Sequence, residues 1–495
     1  MSASEGSRSL SGRPPQESGD LSRLLNSRQL TMIGIGGAIG TGLFLGSTLA
    51  ISNAGPSAII AYILCGLVAL VMSWALAEMV VVHPDAGAFG AIAHSYLGAW
   101  AGFVLRWTYW FGQVIAVGGE VVAAGIYIQY WWPQLPLWVP VVAFSLLLLG
   151  VNAMTVGYFG TLEYWFSMVK VTAISVFVVL SLIVIFFGFP SHPAAGLDNL
   201  TSHGGFMPKG LGGLGLAMVF ALFSYIGTEV VSVTAAESKN PQKDIPRAAR
   251  QMVLRMGLFY VLAIFVIVAV VPWTVAAQGG GLQSSPFVKV FALAGLPAAA
   301  GVMNFVVITA ALSSANTNLY VTTRMVHSLA LHRLAPRWAG MLTKGGVPRN
   351  ALALSALGMA VAAILSVQSQ SQAYLVIFGI ALFAAIVTWI FILATHFAFR
   401  ARRRKLGLPE SPVRLVGAPW TSGLSMMFLA AVLVSTSIVE GLDPAWQFGV
   451  PFFVLLLIVY AALRNRTRDD SRNLLKAERE RRRKASATEA DNTMA

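Results

Sequence analysis

Twelve apolar segments follow one another along this chain, and they constrain its fold more than any other feature. Each is about 20 residues long, enough to cross the ~30 Å hydrocarbon core of a bilayer as an α-helix. Hydrophobic residues make up 56% of the chain and charged residues 11%, less than half of the roughly 25% typical of soluble domains. Such a chain cannot coat a surface that faces water, so we predict an all-α integral membrane protein. Segments 1 to 12 cover, in order, Leu30–Ile51, Ser57–Val82, Ala99–Tyr127, Leu137–Met154, Phe159–Phe187, Leu211–Ala235, Met252–Val271, Ala298–Asn318, Ala351–Val367, Tyr374–Phe397, Ser422–Val439 and Phe448–Leu463.

The net charge of +14 follows a pattern that indicates orientation in a membrane. Thirty of the 34 Lys and Arg residues lie in the N-terminal tail, after segments 6, 8 and 10, and in the C-terminal tail. Lys209 and Lys289 fall on the opposite side, while Arg106 and Lys170 lie within segments. By the positive-inside rule both termini are cytoplasmic, which requires an even number of crossings. The basic excess is therefore a topology signal, and no nucleic-acid partner is expected.

The remaining composition excludes several kinds of site. Cys65, the single cysteine, lies in an apolar run, which excludes a disulfide framework and a cysteine-rich metal site. The sequence has no phosphate-binding G-x-x-x-x-G-K-[ST] loop, so no ATP site is expected. No nucleophile–base pair occurs at membrane depth, which argues against an enzyme. Residues 1–27 are predicted to be a disordered cytoplasmic tail. Residues 464–495 are predicted to be a basic cytoplasmic tail that mainly determines topology, with contact to membrane lipids as the alternative.

Segment 1 is unusually rich in glycine near its centre. Gly36, Gly37, Gly40 and Gly42 stand within seven positions, and each costs about 1 kcal/mol relative to alanine in a helix interior. Gly36 and Gly40 alone would be explained by helix packing, because they form a small-residue pair. The other two glycines lie on other faces and favour a local break in the helix. Backbone can be unwound at that depth only where it lines protein or a watery cavity.

Segment 6 repeats part of this pattern. The tripeptide Ile-Gly-Thr occurs at 39–41 in segment 1 and at 226–228 in segment 6, next to the intramembrane Glu229. The predicted topology sends segment 1 outward and segment 6 inward. Two interrupted helices, five segments apart and opposite in direction, are typical of transporters built from inverted repeats.

The residues around these segments resemble a known family. The motifs are RQLTMIGIGGAIGTGLFLGS, PDAGAFGAIAHSYLG, EYWFSMVKV, FSYIGTEVVSVTAAESKNPQKDIPRA and NFVVITAALSSANTNLYVTTRMVHSLA, in order between Arg28 and Pro336. They are similar to the amino acid permeases of the amino acid–polyamine–organocation (APC) superfamily, in particular the bacterial aromatic, proline, GABA and D-alanine/glycine permeases. The resemblance implies a LeuT-type 5+5 inverted repeat plus two additional helices. Repeat one would cover residues 30–187, repeat two 211–397, and the accessory helices 422–463, within a transmembrane domain at 28–463.

The two breaks suggest where a substrate would bind. Backbone N–H groups freed in segment 1 lie at the start of a half-helix, where partial positive charge suits a substrate carboxylate. Carbonyls freed in segment 6 suit the substrate ammonium. The resemblance places an aromatic that shields the bound amino acid at Phe223, with helix packing or lipid contact as the alternative. The candidate substrate-binding residues are Ala38, Ile39, Gly40, Thr41, Gly42, Phe223, Tyr225, Ile226, Gly227 and Glu120.

Ionisable residues inside a membrane segment are functional candidates because charge there is costly. Lys170 matches, within FSMVKV, the lysine that stands in place of a sodium ion in sodium-independent members of the superfamily. Glu120 and Glu229 match acidic family positions, where substrate contact, proton relay and structural hydrogen bonding stay open. The proton-coupling candidates are Lys170, Glu229, Ser313 and Ser314, and the serines can instead bond neighbouring helices. Glu78 and Glu163 lie near cytoplasmic segment ends, where Glu78 in particular is expected to be solvated.

These features predict a secondary active transporter in the cytoplasmic (plasma or inner) membrane, importing amino acids with protons and without sodium or any cofactor. An amino acid exchanger or a nutrient sensor on the same fold is the alternative, and a channel is a remote one. The expected partners are the amino acid, protons and membrane lipids, with no obligate protein partner evident. The sequence does not name the amino acid, because a few side chains around a shared backbone site set specificity.

Overall fold

The computed structural model describes residues 39–83, 89–154, 156–188, 193–229, 241–277, 285–293, 297–331, 333–343, 346–368, 372–467, 474–476 and 478–480. All regular secondary structure in these ranges is helical. The α-helices are α1 Thr41–Phe44, α2 Gly46–Ala54, α3 Ala58–Val82, α4 Phe89–Tyr96, α5 Ala99–Ile128, α6 Trp138–Asn152, α7 Val156–Phe186, α8 Gly210–Phe223, α9 Pro241–Val270, α10 Trp273–Ala277, α11 Pro286–Leu293, α12 Pro297–Leu331, α13 Arg349–Ser355, α14 Leu357–Gln368, α15 Ala373–Lys405, α16 Trp420–Ser435 and α17 Pro444–Thr467.

Each of the twelve predicted segments corresponds to one or two of these helices. In the described residues, seven helical stretches are long and apolar enough to cross a membrane, and the stretch Thr41–Val82 contains the end of segment 1 and the whole of segment 2. Segments 4, 6 and 11 correspond to shorter apolar helices of 10–17 residues, and segment 7 to the apolar part Gly257–Val270 of α9. The prediction of an all-helical membrane protein is confirmed. The predicted tail at residues 1–27 and most of the C-terminal tail lie outside the described residues.

Segments 1 and 6 both depart from continuous helix where the sequence predicts. In segment 1, helix α1 begins at Thr41 after a bend at Ile39 and Gly40, and residues before Ile39 lie outside the described part. In segment 6, helix α8 ends at Phe223 and the chain continues as turns through Glu229. Gly227 has a φ of +101° in this turn, a conformation that glycine adopts without steric cost. The two non-helical stretches supply free backbone groups inside the fold.

Helix α5 lies at the centre of the molecule, and α16 and α17 lie at its edge. Helices α12, α14 and α15 pack against α5, whose apolar window is 83% buried. The corresponding window of α17 is 11% buried, and α16 exposes large apolar side chains such as Trp420 and Met427. An apolar face without protein neighbours is what lipid contact requires. This arrangement leaves α5, α7, α12 and α15 to surround the two breaks.

Candidate functional site

The start of α1 meets a carboxylate from the central helix. The Thr41 amide donates to Glu120 Oε2 at 3.0 Å and to Oε1 at 3.3 Å, although the residues are 79 positions apart. The Ser314 hydroxyl, from α12, donates to Glu120 Oε1 at 3.0 Å. A Cβ at Gly40 would collide with both side chains, so a larger residue there would displace Glu120 and Ser314 from these positions. The structure thus places Glu120 on the backbone amide that the sequence assigns to a substrate carboxylate.

Lys170 lies fully buried beside the same break. Its ammonium donates a hydrogen bond of 2.9 Å to the carbonyl of Ile39, the first residue of the bend. The Lys170 ammonium, on α7, therefore bonds a backbone carbonyl at the bend, where helical hydrogen bonding is interrupted. Lys170 interacts electrostatically with both Glu120 and Glu163. These three ionisable groups, together with Ser313 and Ser314, are named here the lysine cluster.

Glu163 and Glu78 are both buried, which corrects the expectation that these residues near cytoplasmic segment ends would meet water. Glu163 is 0% exposed and accepts a short hydrogen bond from Ser313. Glu78 is 3% exposed, accepts from Arg400 through two nitrogens at 2.8 Å each, and lies 3.1 Å from His396. Position along a helix predicts depth in the membrane, whereas burial depends on which helices pack alongside. Glu78 is a structural ion-pair partner, and Glu163 belongs to the lysine cluster.

Glu229 lies at the segment 6 break and bonds a different set of residues. Its carboxylate accepts from the Gly227 amide at 3.1 Å, from Gln113 at 3.2 Å and from Trp389 at 3.1 Å. Three N–H donors compensate the buried carboxylate and hold the turn against α5 and α15. The structure therefore separates Glu229 from the lysine cluster, with which the sequence grouped it as a proton-coupling candidate.

The two breaks touch each other directly. A Cβ at Gly42 would lie 2.8 Å from Ser224 Cα and 3.0 Å from its nitrogen, so the segment 1 helix passes against segment 6 backbone. The Ser224 hydroxyl pairs with Tyr62 at 3.1 Å, and the Tyr225 hydroxyl donates to the Tyr62 carbonyl at 2.8 Å. Tyr225 is thus bound to α3, and its hydroxyl is engaged there.

Aromatic rings cover one side of the segment 6 break. Phe223 packs on Phe378 of α15 with ring centroids 4.3 Å apart, and Phe220 and Tyr374 lie 5.5 and 5.7 Å from the same ring. A cavity adjoins this contact and is lined by Phe223 itself as well as by Gln113, Ile226 and Glu229. Its α15 residues, Ala381 to Thr388, follow Phe378 along the helix. This space, named the Glu229 cavity, therefore lies further along α15 than the aromatic contact.

The structure brings together most of the candidate residues that it describes. Ile39, Thr41, Glu120, Lys170, Ser313 and Ser314 converge through α1, α5, α7 and α12. Ala38 lies outside the described residues. The sequence did not identify Gln113 and Trp389 as partners of Glu229, because a polar or aromatic side chain in an apolar segment carries no signal of its distant partner. For Glu163, the spacing of seven residues from Lys170 was the available signal.

Comparison with known proteins agrees with this geometry. The family model described as Amino acid permease matches residues 29–473. The chain belongs to the amino acid permease family. The permease is therefore a multi-pass protein of the cell membrane and a transporter, not an enzyme.

Curated relatives cover nearly the whole permease. It is 39% identical over 442 residues to the Uncharacterized amino acid permease YtnA of Bacillus subtilis, covering 89% of this chain and 95% of that protein. It is 36% identical, with the same coverage, to the Probable threonine/serine transporter YbxG of Bacillus subtilis. It is 35% identical over 443 residues to the Aromatic amino acid transport protein AroP of Escherichia coli, covering 89% of this chain and 95% of that protein. Relatives with different substrates thus match over the same length.

Proposed function

We propose that this permease imports an amino acid by proton symport, through alternating access in a twelve-helix fold with both termini in the cytoplasm. The observation that carries the proposal is the buried Lys170 ammonium on the Ile39 carbonyl, with Glu120 and Glu163 close enough to act on it. A buried cation at this position supplies a fixed charge where a sodium-dependent transporter would need an ion. Gain or loss of a proton in the cluster would then change how α7 holds the segment 1 break.

The substrate carboxylate binds where α1 begins, and the substrate ammonium near the turn of segment 6. Glu120 on the Thr41 amide supports the first assignment, because this helix start already accepts a carboxylate group. The substrate would share or displace that contact, which couples binding to the position of Glu120. The turn from Ser224 to Glu229 leaves the α-helical ladder and offers carbonyls to an ammonium group.

The aromatic contact and the Glu229 cavity support alternating access. In the proposed orientation α15 runs inward, so Phe378 lies on the outer side and the cavity residues Ala381 to Thr388 on the cytoplasmic side. Phe223 packed on Phe378 would close the outer route to the substrate. The cavity next to Glu229 would belong to the cytoplasmic route. Separation of these rings is then the opening movement toward the outside.

Proton symport gives a defined capacity for accumulation. One charge moving through 100 mV is worth about 2.3 kcal/mol, and about 1.4 kcal/mol corresponds to a factor of ten. A zwitterion carried with one proton can therefore be concentrated roughly 40- to 50-fold before any pH gradient contributes.

The test uses purified permease in liposomes with labelled amino acids. We expect uptake to respond to an imposed inward proton gradient, to proceed without sodium and to collapse with a proton uncoupler. The panel contains the twenty amino acids, GABA and D-alanine, because relatives named for threonine, serine and aromatic amino acids match about equally well. Uptake that requires sodium, or that ignores the uncoupler, contradicts proton symport. Counterflow without net uptake identifies an exchanger.

A further inference from the structure

Three buried polar atoms around Glu163 have no hydrogen-bond partner within the described part of the chain. They are Glu163 Oε2, Asn316 Nδ2 and Thr317 Oγ1. Asn316 and Thr317 follow Ser313 by three and four residues, so they share its face of α12. Both direct donors at the Glu163 carboxylate, close enough to stabilise its charge but outside full hydrogen-bond geometry. Buried polar groups are almost always satisfied by protein or ordered water. These three atoms therefore form one polar group around Glu163 inside the helix packing.

This polar group lies between Lys170 and a second cavity. Glu163 precedes Lys170 by seven residues on the same face of α7, about 10 Å along the helix. Asn152, at the end of α6, donates a hydrogen bond of 2.7 Å to Asn316 Oδ1. Asn152 also lines a cavity, together with Tyr320, Thr323 and Arg324. We name this space the Asn152 cavity. In the proposed orientation it lies at the cytoplasmic ends of α6 and α12.

These contacts, together with the electrostatic interaction between Glu163 and Lys170, place polar groups in sequence through the helix packing. They run from the Asn152 cavity to Asn316 and Thr317, then to Glu163, and from there to Lys170. The Glu229 cavity lies elsewhere, between α5, α15 and the segment 6 turn, and shares no lining residue with the Asn152 cavity. A proton and an amino acid would therefore not need to use the same route.

We propose that Glu163 passes the coupling proton between Lys170 and the cytoplasm along this series of polar groups, while the amino acid leaves through the Glu229 cavity. The inference rests on the proposed proton symport and adds the cytoplasmic path of the proton. The titratable and charged groups around Glu163 are Lys170 on α7, Glu120 on α5 and Arg324 at the far end on α12. Two carboxylates and one lysine carry a net negative charge when all are ionised. Because unpaired buried charge is costly, the cluster favours one additional proton. Glu163 is the carboxylate of the cluster that connects to the Asn152 cavity, through Asn316 and Asn152.

The test compares Glu163→Gln and Thr317→Val with the matched control Thr322→Val. Gln keeps the shape of Glu but cannot exchange the proton, and Val keeps the shape of Thr without its hydroxyl. Thr322 is a buried threonine of the same helix whose hydroxyl bonds the carbonyls of Asn318 and Leu319. Liposomes carry pyranine in the lumen to report protons, and each amino acid of the panel above is supplied in labelled form.

We expect Glu163→Gln to keep counterflow exchange within about twofold of wild type and to lose lumen acidification and gradient-driven accumulation. Thr317→Val should slow acidification of the lumen while exchange is preserved, and Thr322→Val should match wild type in both. Glu163→Asp should regain part of the proton coupling that Glu163→Gln loses. Glu163→Gln or Thr317→Val that still acidifies the lumen at the wild-type rate overturns the inference. If Glu163→Gln does not fold, Thr317→Val decides. Wild-type liposomes that move no protons contradict the proposed symport itself, which separates the two failures.

Discussion

At the residue scale, Lys170 offers the most direct test of coupling. Replacement by methionine removes the ammonium and its bond to Ile39 while keeping an unbranched apolar side chain. We expect Lys170→Met to bind substrate and to exchange it, but to lose accumulation driven by a pH gradient in liposomes. Lys289→Met is the control, because Lys289 also donates to a backbone carbonyl, at 3.1 Å from Ala276, but lies on the predicted outer side. Lys170→Met that still concentrates substrate would assign the coupling proton to a carboxylate such as Glu120 or Glu229.

Gly42 tests the contact between the two breaks. Valine at this position would place its Cβ 2.8 Å from Ser224 Cα, and backbone cannot yield as a flexible side chain can. We expect Gly42→Val to abolish equilibrium substrate binding while the protein still inserts into the membrane. Gly150→Val is the control, since a Cβ at Gly150 meets nothing within 4 Å. Wild-type affinity in Gly42→Val would contradict a role for this contact in binding.

At the element scale, the C-terminal residues 474–476 and 478–480 dock on the ends of α4 and α15. The Leu474 amide donates to Ser95 Oγ at 3.1 Å, and Glu478 accepts two bonds from Arg403, at 2.7 and 3.2 Å. His83, just after α3, is buried. Its Nε2 shares a hydrogen bond of 2.9 Å with the Tyr96 hydroxyl and lies 3.9 Å from Glu478 Oε2. Burial is the largest effect on this histidine and lowers its pKa to about 4, although Glu478 opposes the change.

This histidine predicts an acid sensitivity of the folded protein. An unfolded histidine gains its proton near pH 6.5, whereas folded His83 stays neutral until about pH 4. His83 therefore leaves the free energy of unfolding unchanged above pH 6.5. As the pH falls from 6.5 to 4, the unfolded state binds a proton that folded His83 does not, and the free energy of unfolding decreases by about 3 kcal/mol. We expect the melting temperature of wild type to fall more than that of His83→Gln over this range. Parallel pH profiles for the two proteins would contradict the prediction.

At the scale of the whole molecule, the orientation can be tested by cysteine labelling. Cys65 is buried, so Cys65→Ser supplies a background without thiols. We expect a membrane-impermeant maleimide to label Ser202→Cys and Glu440→Cys in intact cells, because both positions are exposed and lie in predicted outer loops. Ser4→Cys and Ser486→Cys, in the two tails, should react only after permeabilisation. Labelling of either tail in intact cells would contradict the twelve-crossing topology with cytoplasmic termini.

Local patterns along the chain were enough to identify the helices and their breaks. Apolar length predicts each segment, since backbone in a bilayer must satisfy its own hydrogen bonds within a helix. Glycine density around Gly40 and the repeated Ile-Gly-Thr at Gly227 mark the places where helix α1 begins and helix α8 ends. Lys170 is conspicuous because a single charge in an apolar segment is rare. All of these signals lie within about one or two helical turns of the residue concerned.

Contacts between distant residues were decided only by the packing of the helices. Glu120 could not be assigned to the Thr41 amide from spacing, because the two are 79 positions apart and several polar side chains compete for such a donor. The burial of Glu163 depends on α12 bringing Ser313 alongside α7, which no pattern within segment 5 encodes. Gly42 against Ser224 likewise depends on two helices crossing. A sequence records what each helix prefers locally, whereas the charge, burial and partners of a site depend on close packing among helices that are far apart in the chain.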